Sequence, residues 1–303
     1  MTEIKCKLCS CKSEFIDKYK FNVESDVEYF GKLDIYYCEK CDFGFTNPDP
    51  TQKNLDYFYK HIYRSKGRPH EINYDLDTSL HHQKNYNYVE YLCTFVDFNN
   101  IKNIFDFGSG TGELVYLLKK RYKHLKIFTI ENDDYSKRIL KDRDVQVFSD
   151  FDEINIKFDL IISTHVLEHL INLEVLNSFK KISNEKCKYF FEVPNNQFKK
   201  NFMVRPYDSP HTLFFSKKSL YTIKNLFDFN LINLSFYSTS LDDHYNNMRI
   251  SKEKFEKILN DRKYIFIQIL KQRIKNMLKI FIPKKLIQMR NAHIQVENAA
   301  KYP

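Results

Sequence analysis

Short apolar runs alternate with amphipathic segments along the middle of the chain, between residues 101 and about 240. The runs are rich in Ile, Val and Phe and are short enough for strands, whereas the segments between them have apolar residues at helical spacing. Strands that alternate with helices predict a doubly wound, mostly parallel α/β sheet. The predicted strands are 103–107, 127–131, 145–148, 158–163, 188–193 and 231–237.

The region before this sheet, residues 51–100, is polar and rich in tyrosine. Helical spacing occurs in it twice, and we predict a lid segment followed by a helix that leads into the sheet. Tyrosines in this region are candidates either to close over a ligand or to pack against the domain. The candidates are Tyr57, Tyr59, Tyr63 and Tyr74.

The end of the chain, residues 246–303, is predicted as a basic helical tail, because apolar residues recur at helical spacing among many Lys and Arg up to Pro283. The net charge of +9 lies in residues 251–303, which hold 13 Lys and Arg against 4 Asp and Glu. Such a tail either contacts an acidic membrane surface peripherally or covers the domain with a solvated basic face. Residues 1–250 carry equal numbers of basic and acidic residues. This balance argues against a nucleic-acid partner, since an enzyme acting on a phosphate backbone would line its active face with Lys and Arg.

The composition is that of a globular protein, with 43% apolar residues in 303. No apolar run approaches the ~18 to 20 residues needed to span a bilayer, and the first residues lack the apolar segment of a signal peptide. We therefore expect a cytoplasmic protein, with the basic tail as its candidate contact to the inner membrane face. Its seven cysteines should serve as metal ligands or free thiols rather than disulfides.

Four of the cysteines form two C-x-x-C pairs, Cys6 with Cys9 and Cys38 with Cys41, separated by 28 residues. Each C-x-x-C turn directs two thiolates to one point, and two such turns complete a tetrahedral zinc site at ~2.3 Å per Zn–S bond. Cys11 is an alternative ligand to Cys9. We predict a small zinc-binding module at residues 1–50, in which zinc is structural because protein ligands fill all four positions.

A glycine-rich motif follows the first predicted strand of the sheet. The segment Asp106–Glu113 has glycine at every second position from Gly108 to Gly112, which lets the backbone turn tightly and a ligand approach closely. Glu131 ends the next apolar run and is placed to accept hydrogen bonds from a ribose diol. A dinucleotide fingerprint would have glycine at position 113, where a carboxylate instead would repel a pyrophosphate. The motif therefore points away from NAD and toward S-adenosylmethionine.

These features resemble the class I S-adenosylmethionine-dependent methyltransferases, whose first motif has the form acid-x-Gly-x-Gly-x-Gly. Residues 158–170 are similar to the family's fourth strand with its Leu-Glu-His segment, 190–195 to its fifth strand, and 210–216 to a later block of one branch. Residues 37–50 resemble the end of the zinc module that precedes the methyltransferase domain in bacterial sugar methyltransferases. The resemblance covers about residues 80–240 and implies a Rossmann-like cofactor domain, which we place at 101–245.

The resemblance also implies a set of cofactor contacts. The acid of the first motif is expected near the amino-acid end of S-adenosylmethionine, Glu131 at the ribose, and the end of the third strand at the adenine. The expected cofactor-binding residues are Asp106, Gly108, Ser109, Gly110, Gly112, Glu131, Asp150, Phe151 and His165.

O-methylation of a hydroxyl requires a base, and histidines near the strand ends suit that role at neutral pH. His169, in the Leu-Glu-His segment, and His211, in the later block, are the two candidates. Glu168, Arg205 and Asp208 are candidates to hold a polar acceptor.

The expected function is methylation of a sugar, a nucleotide-sugar or a related precursor of surface glycans. The alternatives are a methyltransferase acting on RNA or a quinone-type acceptor, and a catalytically inactive binding protein that uses its zinc module to recruit partners. The presence of the acid, the glycines and Glu131 argues against inactivity. Sugar C-methyltransferases carry a further C-terminal domain and are longer than this chain, which favours O-methylation.

Overall fold

The structure is a computed structural model that describes residues 3–65, 85, 88–196, 198, 210–238 and 289–298. In chain order the strands are β1 Glu14–Lys18, β2 Asp34–Cys38, β3 Phe43–Asn47, β4 Asn103–Asp106, β5 Lys126–Ile130, β6 Val145–Phe148, β7 Phe158–Thr164, β8 Ser183–Pro194, β9 Leu213–Phe214, β10 Phe229–Ser238 and β11 Met289–Asn298. The α-helices with described bounds are α1 Val27–Phe30, α2 Gln52–Tyr57, α3 Glu113–Arg121, α4 Asp134–Asp142, α5 Val175–Ile182 and α6 Lys217–Leu226. Shorter helical turns lie at Glu24–Asp26, Phe58–Ile62, Phe98–Asn100 and Leu167–His169.

The larger sheet has the strand order β10-β11-β8-β7-β4-β5-β6 among the described residues. Strands β6, β5, β4, β7 and β8 are parallel, which confirms the doubly wound α/β fold. After β4 the chain adds β5 and β6 on one side, and then crosses to add β7 and β8 on the other. The order therefore reverses between β4 and β7, and ligands bind at the carboxyl ends of the strands at such a switch point.

The central strands are apolar on both faces because helices cover both. In β7 four consecutive residues are buried, and in β4 Ile104 and Phe105 are fully buried on opposite faces of the sheet. One face packs against Leu114, Val115 and Leu118 of α3, and the other packs against Phe179 of α5. The helix α3 ends in Lys119, Lys120 and Arg121, cations that favour a helix C-terminus.

The prediction of a helical tail is wrong for residues 289–298, which form strand β11. This strand pairs antiparallel with both β8 and β10 and so fills the space between them. The helical spacing behind the prediction ended near Pro283, whereas Ala292, Ile294 and Val296 recur at the two-residue period of a strand. Insertion here gives β8 a partner on each side and satisfies its backbone groups. The remainder of the predicted tail lies outside the described residues.

The smaller sheet is antiparallel and has the order β1-β2-β3-β9. Its first three strands belong to the predicted zinc module, but β9 comes from the later part of the chain and pairs Leu213 with Phe45. The Thr46 backbone N–H extends this pairing by donating to the Thr212 carbonyl at 2.9 Å. The N-terminal module and the cofactor domain therefore share one sheet.

Among the described residues, no helix combines the length and the apolar character required to cross a bilayer.

Candidate active site

The glycine motif forms a tight loop between β4 and α3. Gly108, Gly110 and Gly112 have φ values of +69°, +56° and +74°, in the left-handed region that other L-residues adopt at a cost. A Cβ on Gly108 would lie 2.6 Å from Val166 Cγ2, and one on Gly112 would lie 2.5 Å from Leu140 Cδ2. Both the backbone conformation and the close packing therefore require glycine at the two ends of the loop.

Glu131, at the tip of β5, holds the glycine loop from the neighbouring strand. One oxygen accepts the Gly110 N–H at 2.7 Å and the other accepts the Asp133 N–H at 3.0 Å. Burial raises the pKa of this carboxyl, although the two backbone donors lower it. Each carboxylate oxygen has two lone pairs, so each retains acceptor capacity for a diol in the cavity.

Asp106 ends β4 directly before the loop and is 3% exposed. Its Oδ1 atom is buried and has no hydrogen-bond partner among the described residues. Burial, with a smaller contribution from the Glu131 carboxylate, raises the pKa of Asp106 to about 8. An unpaired buried carboxyl is costly, and an ammonium group of a ligand is the kind of partner that would satisfy it.

A cavity of about 370 Å³ opens over the loop at the switch point. That volume lies at the lower end of the range for small-molecule sites. Six of the nine predicted cofactor residues line this cavity, and they come from the ends of β4, β5 and β7. They are Asp106, Gly108, Ser109, Gly110, Glu131 and His165, whereas Gly112 lies between the lining residues Thr111 and Glu113 and is not itself part of the described wall.

Asp150 and Phe151 are not part of the described cavity wall. Asp150 is exposed and accepts the N–H groups of Asp152 and Glu153 in its own turn. Phe151 packs inward, and its ring stacks on that of Phe107 at a centroid distance of 5.7 Å. Their assignment to the adenine stays a prediction that the cavity does not support.

Tyr59 and Tyr63 line the cavity, whereas Tyr57 is 51% exposed and stacks on Tyr29. Packing on the N-terminal module therefore explains the position of Tyr57. Tyr74 lies outside the described residues, as do Arg205 and Asp208.

Arg64 is a cavity residue that the sequence did not single out. Its Nε atom lies 2.7 Å from Asp133 Oδ2, and its Nη2 atom lies 3.5 Å from the position of a Cβ on Gly110. This places a guanidinium group beside the glycine loop, where it can receive a carboxylate. Asn85 was missed in the same way, and its Nδ2 donates to Glu113 Oε2 at 3.0 Å.

His165 follows β7 and has a φ of +57°, a strained conformation for a non-glycine residue. Its Nδ1 lies 3.2 Å from Glu168 Oε1 and its Nε2 lies 3.3 Å from Glu192 Oε1. The two glutamates are 1% and 0% exposed. The strained backbone thus directs the imidazole between two buried carboxyl groups at the cavity wall.

The two histidines predicted as bases lie side by side. The rings of His169 and His211 are edge to face with centroids 4.7 Å apart. His169 Nδ1 lies 2.8 Å from the Pro210 carbonyl oxygen. A carbonyl only accepts, so Nδ1 carries the proton and Nε2 carries the lone pair of the neutral ring. Burial lowers the pKa of His169, which favours this neutral form.

His169 lines the cavity, and its Nε2 is 3.9 Å from Glu168 Oε1. The backbone N–H of His211 donates to the Tyr19 hydroxyl at 2.8 Å, so the N-terminal module helps to fix this loop. The arrangement brings a carboxyl and two imidazoles together, and of these three residues His169 lines the cavity.

The four predicted metal ligands, Cys6, Cys9, Cys38 and Cys41, have sulfur atoms within 4.8 Å of one another. Cys9 Sγ and Cys38 Sγ are 3.6 Å apart, close to the ~3.8 Å that tetrahedral geometry with 2.3 Å bonds requires. Cys11 is not a member of this group. The cluster is therefore suited to a metal ion, in agreement with the prediction.

Both knuckles have the same backbone shape. The residue after each second cysteine, Ser10 and Asp42, is left-handed, with φ of +57° and +53°. Burial raises the pKa of the Cys6 thiol to about 12, so a metal ion must displace its proton to bind as thiolate.

A doubly wound sheet with a glycine loop after its first strand and an acid at the tip of the next is a nucleotide-binding arrangement that methyltransferases share with dinucleotide-binding enzymes. The sequence profile of the family described as "Methyltransferase domain" matches residues 80–234, about half of the chain. The chain belongs to this family and is a methyltransferase of class EC 2.1.1. Among curated proteins, none matches this chain significantly.

Solved structures to which this chain is similar include three methyltransferases. Coclaurine N-methyltransferase, bound to N-methylheliamine and SAH, is 14% identical, with 81% of each chain covered and a TM-score of 0.48. Magnesium protoporphyrin IX methyltransferase from Synechocystis PCC 6803 is 12% identical, covering 81% of this chain and 98% of that one, with a TM-score of 0.46. The O-methyltransferase from a trans-AT PKS multienzyme of Brevibacillus brevis is 13% identical, with 72% of each chain covered and a TM-score of 0.44. Their acceptors differ widely, and they indicate nothing about the acceptor of this chain.

Proposed function

We propose that the protein transfers a methyl group from S-adenosylmethionine to a hydroxyl of a small polar acceptor, a sugar, a nucleotide-sugar or a related surface-glycan precursor. The observation that carries the proposal is that His169, whose Nε2 carries the lone pair of the neutral ring, lines the same cavity as the glycine loop. Polar groups also line the cavity from the lid side, among them Gln52, Asp56 and Asn85. These groups suit a hydroxyl-rich acceptor better than a quinone.

The cofactor is proposed to bind over the glycine loop. Asp106 would accept a hydrogen bond from the ammonium group, Arg64 would receive the carboxylate, and Glu131 would accept both ribose hydroxyls. The Glu113 side chain, buried beside the loop, is compatible with a donor that lacks phosphate. Binding at the switch point would direct the sulfonium methyl toward the histidines after β7.

The reaction is an in-line displacement. The acceptor oxygen forms a bond to the methyl carbon as the bond from that carbon to sulfur breaks, and S-adenosylhomocysteine leaves. The hydroxyl proton passes to a base as the oxygen attacks, and His169 and His211 are the proposed acceptors of that proton. The other contribution of the chain is alignment of the two substrates in a cavity that excludes bulk water.

Zinc is proposed to occupy the four-cysteine group. Four thiolate ligands leave no open position for water, so the ion would be structural and would hold the two knuckles together.

The direct test is transfer of a radiolabelled methyl group from S-adenosylmethionine to a panel of nucleotide-sugars and free sugars, with the product one methyl group heavier by mass. Labelling of an RNA or a quinone but of no sugar would refute the proposed acceptor class. Binding of S-adenosylhomocysteine without transfer to any acceptor would favour the inactive binding protein.

The His169→Asn variant should lower kcat by about 10² to 10⁴, the range for loss of an acid–base group. Asparagine keeps an N–H donor near the position of Nδ1, so the contact with Pro210 is retained while the Nε2 lone pair is lost. The affinity for S-adenosylhomocysteine should be unchanged. The matched control is His61→Asn, because His61 is exposed and is not part of the described cavity wall. Full activity of both His169→Asn and His211→Asn would remove these residues as bases.

The affinity for S-adenosylhomocysteine should rise with pH between 6 and 8. In the free protein at pH 6 Asp106 is mostly protonated, since its pKa is about 8. The cofactor ammonium prefers the carboxylate, so binding releases a proton and becomes easier as the pH approaches that pKa. The Kd should fall by up to about tenfold per pH unit and then level off. Calorimetry over this range checks the slope, and Asp106→Asn should bind weakly with little pH dependence. An equal slope in Asp106→Asn would assign the proton to another group.

A further inference from the structure

A second cluster of metal-ligating side chains lies apart from the four cysteines and includes His169 of the cavity wall. We call it the acceptor end, because the acceptor is proposed to bind beside it. Glu168, His169 and His211 each offer one ligand atom, and these atoms all lie within 4.8 Å of one another. His169 Nε2 and Glu168 Oε1 are 3.9 Å apart, compared with about 3 Å between adjacent ligands on an octahedral ion with bonds of 2.1 Å. Binding of an ion would therefore require the two side chains to move about 1 Å closer.

The orientation of His169 suits a metal ligand. Its Nδ1–H donates to the Pro210 carbonyl, which fixes the tautomer and leaves the lone pair on Nε2, 3.9 Å from Glu168 Oε1. Histidines that bind metals usually donate their other N–H to a carbonyl or carboxylate in this way.

Glu168 supplies an independent indication. It is 1% exposed, and its Oε2 atom has no hydrogen-bond partner among the described residues. A buried carboxylate oxygen without a partner is costly. The other oxygen, Oε1, lies 3.2 Å from His165 Nδ1, so a cation bound by Oε2 would satisfy the atom that has no partner.

The backbone around the cluster is fixed by contacts over long sequence distances. The Thr212 N–H donates to the Glu168 carbonyl at 2.8 Å, and the His211 N–H donates to the Tyr19 hydroxyl at 2.8 Å. These bonds hold the segment after β7 against the segment before β9. The three ligands therefore come from two segments that are locked together.

We infer that Glu168, His169 and His211 form a binding site for a divalent cation such as Mn²⁺, with coordination positions left open for acceptor oxygens. Two imidazoles and one carboxylate are a ligand set that first-row divalent metals accept, and three protein ligands leave room for water or substrate. The site would favour acceptors with two neighbouring oxygens, such as a vicinal diol or an α-hydroxy acid.

This inference rests on the proposed function for its role in catalysis. A hydroxyl bound to the cation would lose its proton to water more readily, because the charge stabilises the alkoxide. The alkoxide oxygen would then form the bond to the methyl carbon, and S-adenosylhomocysteine would leave. His169 would thereby act through the cation rather than as the direct proton acceptor.

Binding of Mn²⁺ by the full chain, with its cysteine-bound zinc in place, tests the site. Mn²⁺ prefers oxygen and nitrogen to thiolate ligands, so it reports on this site and not on the cysteines. Electron paramagnetic resonance should show one saturable ion per chain in the absence of donor and acceptor. Glu168→Gln and His211→Asn should each weaken binding at least about tenfold, whereas the exposed controls Glu185→Gln and His61→Asn should bind as the wild type does.

Absence of saturable Mn²⁺ binding by the wild type, or unchanged binding by Glu168→Gln and His211→Asn, would overturn the inference. Binding of S-adenosylhomocysteine by each variant checks that its cavity is folded. Because the metal measurement needs no acceptor, failure to methylate any sugar would count against the proposed function alone. Full turnover in a chelator that removes Mn²⁺ but leaves zinc bound would refute the catalytic role of the cation. His169 would then be the proposed acceptor of the hydroxyl proton.

Discussion

The Glu131→Ala variant should lose affinity for S-adenosylhomocysteine by at least about a hundredfold. The carboxylate is proposed to accept two hydrogen bonds from the ribose diol, and hydrogen bonds to a charged group contribute about 1.5 to 3 kcal/mol each. Loss of both removes about 3 kcal/mol or more, and each 1.4 kcal/mol is a factor of ten in Kd. Isothermal calorimetry measures the change directly.

Part of that loss comes from the loop itself, because Glu131 also accepts the N–H groups of Gly110 and Asp133. Glu131→Gln separates the two effects. The amide oxygen can still accept one of these backbone bonds, but the amide lacks the charge and the second acceptor that a diol requires. We expect intermediate affinity for Glu131→Gln and wild-type affinity for Glu185→Ala, a control at an exposed position. An affinity of Glu131→Ala near that of the wild type would show that the ribose lies elsewhere.

The parts of the site that the sequence predicted are local in the chain. The glycine loop, the acid at the end of β4 and Glu131 follow from strand ends and from φ values that only glycine adopts easily. The cysteine ligands follow from the spacing within each C-x-x-C pair. In both cases neighbouring residues carry the chemistry, so the pattern is visible without the fold.

The parts that it missed depend on contacts between distant residues. Arg64 reaches the glycine loop through its ion pair with Asp133, and no local pattern distinguishes it from the other 47 Lys and Arg of the chain. Phe151, predicted at the adenine, stacks on Phe107 and is not part of the described cavity wall, so its assignment stays a prediction. The positions of β9 and β11 depend on strand pairing over long separations, which composition and periodicity do not encode.

The shared sheet connects the cysteine group to the residues proposed to bind the acceptor. Strand β3 follows the second knuckle and pairs with β9, and the residue before β9, Thr212, donates to the Glu168 carbonyl. Lys7, within the first knuckle, donates to the Ile171 carbonyl at 2.9 Å. Both knuckles therefore support the segments that carry Glu168, His169 and His211.

The Cys38→Ser variant should accordingly lose zinc, stability and turnover while it retains the cofactor. Cys38 is fully buried at the end of β2, and structural zinc contributes on the order of 10 kcal/mol to the folding of small modules. Turnover should fall at least about a hundredfold as the acceptor end loses its support. The Kd for S-adenosylhomocysteine should change by less than about threefold, because the core between α3 and the larger sheet contains no residue of the N-terminal module. Metal analysis, thermal unfolding, calorimetry and the methyl-transfer assay measure these four quantities.

The matched control is Cys11→Ser, which removes a thiol beside the first knuckle but outside the four-cysteine group. It should keep zinc and activity. Loss of zinc in Cys11→Ser together with retention of zinc in Cys9→Ser would show that Cys11, and not Cys9, is the zinc ligand. Full turnover in Cys38→Ser without zinc would show that the acceptor end is held by the cofactor domain alone. Glu131→Ala is expected to keep zinc and lose the cofactor, whereas Cys38→Ser is expected to lose zinc and keep the cofactor. Together the two variants test whether different parts of the structure stabilise the donor site and the acceptor site.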